Sequence, residues 1–256
     1  MGRVPERVEP DVTEPPAPVP GPAARGSAPG TPVTLDRREG AEGEIALRRR
    51  GGPDGDVWEI IVNGTFLMDT SDGRSERLLV DAAMRALPEE RRAARPSVLI
   101  GGLGVGFSLA HAVADDRWGR VVVVEREQAV IDWHHEGPLA RVSKSALVDP
   151  RTVILHTDLL EYVRTTSDRY DAMCLDIDNG PDWTVTESNG SLYAEEGLAA
   201  CKALLNPFGV LAVWSAQPSP TFGDALGNAG FSGVTAEEVP VARGVPDVVH
   251  LAVRTA

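Results

Sequence analysis

The sequence predicts the α/β class: a parallel sheet wound by helices on both faces, with a small β appendage in front of it. Three observations carry this expectation. Five compact aliphatic runs alternate with segments of helical periodicity. The first run breaks into clustered glycines, VLIGGLGVGFSLAHAV at 98–113, and later runs end in or lead into acids, Glu125, Asp158 and Asp176. Runs that stay apolar without alternation suit strands covered from both sides, the usual condition of a parallel sheet.

The elements follow in order. Residues 1–32 consist largely of Pro, Ala, Gly and Glu, too poor in apolar side chains to offset ordering, and read as a disordered tail. Residues 33–72 read as a small N-terminal β domain. There EIALRRR and DVWEIIVNGTFLMDT flank GGPDG, and Asn63-Gly64 marks a second turn, giving two hairpins or a short meander. Residues 73–256 form the expected nucleoside-binding and catalytic domain. It opens with a helix over 75–87, where Leu78, Leu79, Ala82, Ala83, Ala86 and Leu87 recur at helical spacing. Pro88 and the charged run EERRAARP then cross the surface. Strands are expected at 97–102, 120–125, 152–156, 170–177 and 209–216, with helices at 106–115, 127–139, 158–166 and 191–205 between them. A closing antiparallel pair, 231–239 and 247–254, adds to the edge.

Composition narrows the function. The chain carries 38 acidic and 25 basic residues, a formal net charge of -13, which disfavours nucleic-acid partners and favours cations. No signal-peptide core and no long apolar span occur, so no membrane partner and a cytoplasmic location are expected. Cys174 and Cys201 have neither CxxC spacing nor a histidine pair beside them and read as small core side chains. His134 and His135 point apart on a helix and lack a third ligand, so no metal site is expected. There is no GxSxG elbow, and no GK[ST] follows the glycines.

In such a sheet, ligand chemistry gathers at the carboxyl ends of the strands. Gly101, Gly102, Gly104 and Gly106 would let the backbone approach a ligand and present helix amides to an anionic group; they would equally let a helix pack on the sheet. Glu125, about twenty residues on, stands where an acid accepts both hydroxyls of a ribose, and the plain alternative is a strand-end acid facing water. Asp158 and Leu159 can frame the edge of an adenine, or Thr157 or Asp158 can simply cap the next helix. In DIDNGPDW, Asp176 and Asp178 are near enough to raise one pKa and suit the pair to proton acceptance. Asn179-Gly180-Pro181 forces a turn, so Asp178 and Asn179 can also serve that turn alone. Trp183, Tyr193, Trp214 and Phe222 can line an acceptor pocket or pack in the core. Asp69 and Glu76 add charge from the amino-terminal side.

VLIGGLGVG, VVVVERE, DPRTVILHTDLLEYV and YDAMCLDIDNGP, in this order, resemble the spermidine synthase (polyamine aminopropyltransferase) family. That family lies within the class I S-adenosylmethionine-dependent methyltransferase fold, a Rossmann-like sheet, and its members place a small β-rich domain in front. The similarity spans residues 57–216. It implies that the glycine loop holds the methionine-derived part of the donor, Glu125 the ribose and Asp158 the adenine. It makes Asp176 the catalytic aspartate of a DxxD stretch whose second position is Asn179, with Asp178 partly replacing the charge. Asp69, Glu76, Asn179, Trp183 and Tyr193 would meet the acceptor, a small-molecule amine. The donor would be decarboxylated S-adenosylmethionine for aminopropyl transfer, or S-adenosylmethionine for methyl transfer, and neither reaction needs a metal. Family members commonly form dimers, which leaves a homodimer open.

The chain also departs from the family pattern. Leu103 and Gly104 stand where GGGDGG has Gly and Asp, so the family's contact to the donor amine is lost. Asn63-Gly64 with Phe66 and Leu67 replaces an Asp-Gly followed by Gln, and GRSERLL keeps only Glu76 of a Tyr-His-Glu signature. Putrescine recognition is therefore poorly supported. Three readings stay open: aminopropyl transfer, methyl transfer to a small molecule, and a catalytically inactive nucleoside-binding or assembly protein.

Overall fold

The structure, a computed structural model, describes residues 31–52, 55–143, 145–177, 179–184, 189–241 and 244–256. Asp178 and residues 1–30 of the expected tail lie outside the described residues.

The front of the chain forms a four-stranded antiparallel meander, β1 (Val33–Gly40), β2 (Gly43–Gly52), β3 (Gly55–Val62) and β4 (Thr65–Asp69), in sequence order. Side chains alternate across a strand, and Leu47 pairs with Ile60 so that Ile45, Leu47 and Ile60 turn to one buried face. That face belongs to the same core as Leu79, Val80 and Met84 of α1 (Arg74–Ala86), the helix that itself lies on the main sheet. At the β3–β4 turn both Asn63 (φ 49°) and Gly64 (φ 78°) are left-handed, the pair a tight hairpin turn requires.

The main sheet contains β5 (Ser97–Gly101), β6 (Arg120–Glu125), β7 (Thr152–His156), β8 (Tyr170–Leu175), β9 (Leu205–Ser215), β10 (Phe231–Val239) and β11 (Asp247–Arg254). Their order is β10-β11-β9-β8-β5-β6-β7, with β11 antiparallel to both β9 and β10 and the other neighbours parallel. Along β5, Val98 and Ile100 enter the core shared with α1, while Leu99 enters a second core on the opposite face. This is why the central runs show no alternation: both faces are dry. α3 (Phe107–Ala114) and α4 (Gln128–His135) join the first core, and α6 (Leu159–Thr165) and α8 (Glu195–Leu204) the second.

Several boundaries differ from expectation. The charged run after Pro88 contains a short helix, α2 (Glu89–Ala93), whose Arg91 reaches the Asp171 carboxylate at 3.0 Å. The helix expected over 127–139 stops at His135, just before Gly137-Pro138; α5 (Ala140–Ser143) follows. The stretch 191–205 divides at Ala194 into α7 (Gly190–Tyr193) and α8. β9 starts at Leu205, which pairs with Tyr170. α9 (Phe222–Asn228) was not foreseen. Both cysteines are free and buried, and no helix among the described residues is long and apolar enough to cross a membrane.

From β5 the chain steps outward through β6 to β7, then returns to place β8 on the other side of β5. The direction of winding therefore reverses between β5 and β8, and a crevice opens beyond the carboxyl ends of strands at such a switch.

Candidate active site

Gly101 ends β5 in register with Val124 of β6 and Leu175 of β8, which levels the three strand ends. Backbone bonds carry that level onward: Gly102 donates to the Val124 carbonyl at 2.9 Å and Asp176 to the Gly101 carbonyl at 3.0 Å. Beyond them lies a cleft of about 260 Å³, closed in front by the inner face of the meander. The main sheet contributes Gly102, Gly104, Glu125, Asp158, Leu159 and Asp176 to its wall; β4 and α1 contribute Asp69 and Glu76.

The glycines divide between two tasks. Gly102 has φ +88°, and a β-carbon there would stand 2.5 Å from the Asp176 carbonyl oxygen; at Gly104 it would meet the Met68 sulfur at 2.5 Å. These two line the cleft. Gly101 and Gly106 do not: their missing side chains admit Leu159 and the His134 ring, each 2.6 Å from where a β-carbon would be. The turn thus borders the cleft and admits close packing at once.

Glu125 is buried rather than facing water, and burial pushes its carboxyl up. Backbone amides oppose that rise, Leu103 N–H donating to Oε2 at 2.9 Å and Glu127 N–H to Oε1 at 2.8 Å. The strand-end acid therefore ties down the glycine turn while bordering the cleft. Asp158 meets the capping expectation, its Oδ1 accepting from Glu161 N–H at 2.9 Å at the start of α6, and the residue also forms part of the cleft wall.

Asp176 follows β8. Burial raises its carboxyl to about 6, Asp247 adds to the rise, and the Ser108 hydroxyl, donating to Oδ2 at 3.1 Å, opposes it. Glu76, in the first turn of α1, is pushed up to about 8 by burial and then by the Asp176, Asp247 and Asp72 charges. Asp247 accepts from the Ser75 hydroxyl at 2.5 Å. The acidic neighbours that the described residues give Asp176 are therefore Glu76 and Asp247. Asp69 and Asp72 also line the cleft, but Arg50 holds the first at 2.6 Å and Arg74 grips the second, its closest approach also 2.6 Å.

The remaining expected acceptor residues stand elsewhere. Asn179 is buried, its carbonyl accepting from Ala216 N–H at 3.0 Å, and Trp183 is 56% exposed; neither lines the cleft. Tyr193 lies edge-on to Phe222 at 5.8 Å in the second core, so the packing alternative describes both. Trp214 does reach the cleft. Sequence reasoning missed Ser108, Asp247 and the wall made by Phe66, Leu67 and Met68 as site elements. It also missed His134, whose Nε2 donates to the Gly104 carbonyl at 2.9 Å while burial lowers the ring to about 4, keeping it neutral. His135 is exposed, and no group of three metal-ligating side chains occurs among the described residues.

No protein-family model matches the chain. A polyamine aminopropyltransferase of Saccharolobus islandicus is 28% identical over 142 residues, covering 56% of this chain and 44% of that protein. Among solved structures, a spermidine synthase in complex with the transition state analogue AdoDATO superposes with a TM-score of 0.68 at 20% identity, over 86% of this chain and 73% of the other. The Thermotoga maritima spermidine synthase gives 0.66 at 18%, over 86% and 72%. The chain thus spans less than half the length of the curated relative it matches. These likenesses support a relationship to the spermidine synthase and aminopropyltransferase superfamily, and the fold has the topology of spermidine synthase.

Proposed function

We propose that the cleft transfers an alkyl group from a sulfonium to an amine, specifically an aminopropyl group from decarboxylated S-adenosylmethionine. The observation that carries this is the half-buried Asp176 carboxylate, held by Ser108 beside Glu76, across the same cleft from Glu125 and Asp158. With its carboxyl at about 6, Asp176 is ionised at neutral pH and close enough to neutrality to take a proton; Glu76, at about 8, stays protonated and can donate.

The chemistry balances with Asp176 as the proton acceptor and Glu76 as a neutral hydrogen-bond donor beside it. An ammonium acceptor gives one proton to Asp176. The amine lone pair then forms the C–N bond as the C–S pair withdraws onto sulfur, releasing neutral methylthioadenosine and a secondary ammonium. Glu125 and Asp158 suit the ribose hydroxyls and the adenine amine, and the glycine turn leaves room for the chain next to sulfur. Holding both partners in line supplies much of the acceleration that such a displacement needs.

The charge of the cleft supports the decarboxylated donor. Asp176 and Asp247 repel the α-carboxylate that S-adenosylmethionine would bring, whereas an aminopropyl tail ends in a cation. One observation favours a second reading, methyl transfer to a small molecule: the acid expected at Gly104 is absent, and the Met68 sulfur occupies the space above that position. Calorimetric binding of S-adenosylmethionine, its decarboxylated form and methylthioadenosine, followed by mass analysis of reactions with amines, separates the readings. Tighter binding of the decarboxylated donor and an aminopropyl mass increment are expected. Preference for the carboxylated donor with a methyl increment overturns the first reading, and nucleoside binding without any product favours the inactive alternative.

A further inference from the structure

The cleft is chemically two-sided. On the front, β3 and β4 present Ile60, Val62, Phe66, Leu67 and Met68, and Phe66 is 50% exposed, an apolar side chain that the fold leaves half uncovered. At the other end Glu76 and Asp176 line the same wall and act on each other, and among the described residues neither forms a salt bridge with a cationic side chain. Among the described residues, every other carboxylate of the wall is already engaged. Asp69 and Asp72 hold guanidiniums, Glu125 accepts two backbone amides, Glu127 pairs with Arg126 at 3.4 Å, and Asp158 caps α6.

A diamine or longer polyamine needs an anionic partner at each end, because an ammonium laid on apolar surface gives up hydration for nothing. Among its described residues, this cleft has uncommitted charge at one end and hydrocarbon at the other. We propose that its acceptor is a primary monoamine with an apolar body, the ammonium resting between Asp176 and Glu76 and the alkyl or aryl body lying along Phe66, Leu67 and Met68. The inference rests on reading the cleft as an amine-alkylating site, and it names the class of amine.

Binding tests it without requiring turnover. The full chain, with methylthioadenosine present, is titrated with hexylamine and its terminal diamine, and with phenethylamine and putrescine. Each monoamine is expected to bind at least about tenfold more tightly than its diamine partner, a difference well within the reach of one unpaired charge. A smaller ratio, a reversed ratio, or no binding by any of the amines refutes the acceptor class. Phe66→Asp, at a half-exposed position, places an acid on the apolar wall and is expected to raise diamine affinity while lowering monoamine affinity, its fold checked by circular dichroism. An unchanged ranking in that variant removes Phe66 from the site. Failure of the two ideas is distinguishable: monoamine preference without product from either donor upholds the acceptor class and defeats transfer, and efficient aminopropylation of putrescine does the reverse.

Discussion

Asp176 sits between influences of opposite sign, and its chemistry depends on their balance. Burial and the Asp247 charge push the carboxyl up; the Ser108 hydroxyl restores part of the solvation that the protein removes. Replacing Asp176 by Asn keeps shape and removes the proton acceptor. Turnover is expected to fall by about 10²–10⁴-fold, with donor affinity measured by calorimetry little changed; equal turnover would take Asp176 out of the reaction. Ser108→Ala acts more subtly. It removes the one hydrogen bond that lowers the Asp176 carboxyl, so the acid limb of the rate profile should move to higher pH and activity should recover in alkaline buffer. A uniformly lower profile with its limb in place would mean that Ser108 only packs. Asp176 was legible because an acid directly after an aliphatic run marks a strand end at the ligand side. Ser108 was not, since in SLAHAV it looks like any small helix residue and its partner lies 68 positions away.

At the level of elements, α4 joins the glycine turn to the front sheet. Its His134 holds the Gly104 carbonyl, its Trp133 indole donates to Asp36 of β1 at 2.8 Å, and its Asp132 pairs with Arg38 at 2.5 Å. The neutral His134 must carry its proton on Nε2, because a carbonyl can only accept. His134→Leu would strand that carbonyl in the interior, at a cost of about 1–3 kcal/mol, and loosen the turn that borders the donor. Urea unfolding should register the loss, calorimetry should show weaker nucleoside binding, and His134→Gln, which retains a donor, should recover part of both. Unaltered stability and binding in the Leu variant would contradict the brace. Central strands were readable because both faces are buried, and the front meander because Asn63-Gly64 can adopt the left-handed pair its turn requires. What escaped, α2, the break at Ala194 and the early start of β9, depends on contacts distant in sequence, such as Arg91 with Asp171 and Leu205 with Tyr170.

Across the whole molecule, a net charge of -13 is not spread evenly in its consequences. Most surface carboxylates with resolved shifts, such as Asp115 and Asp149, are lowered by guanidinium partners, so their contribution to stability is present above about pH 4 and lost only in stronger acid. The cleft acids run the other way. Glu76 binds its proton more tightly folded, at about 8, than unfolded, near 4.5, so its contribution is complete at low pH and disappears as pH rises through 8. Asp176 acts in the same sense up to about 6, but there the buried His134, lowered from 6.5 to about 4, opposes it by losing stability as pH falls. Between pH 6.5 and 8 Glu76 therefore acts alongside only the buried Glu125 among the acids that burial raises, and the Glu76→Gln variant separates the two. In that window the thermal midpoint of the unliganded chain should fall as pH rises, by roughly 2–5 °C, and Glu76→Gln should flatten the slope and raise the midpoint at pH 8. An ammonium ligand bound between Glu76 and Asp176 should flatten it too, by favouring the charged carboxylates that the empty cleft resists. If the midpoint is level or climbs between pH 6.5 and 8, or if the Gln variant keeps the full slope, Glu76 is not the neutral acid of the cleft and the proton chemistry assigned to this pair fails with it.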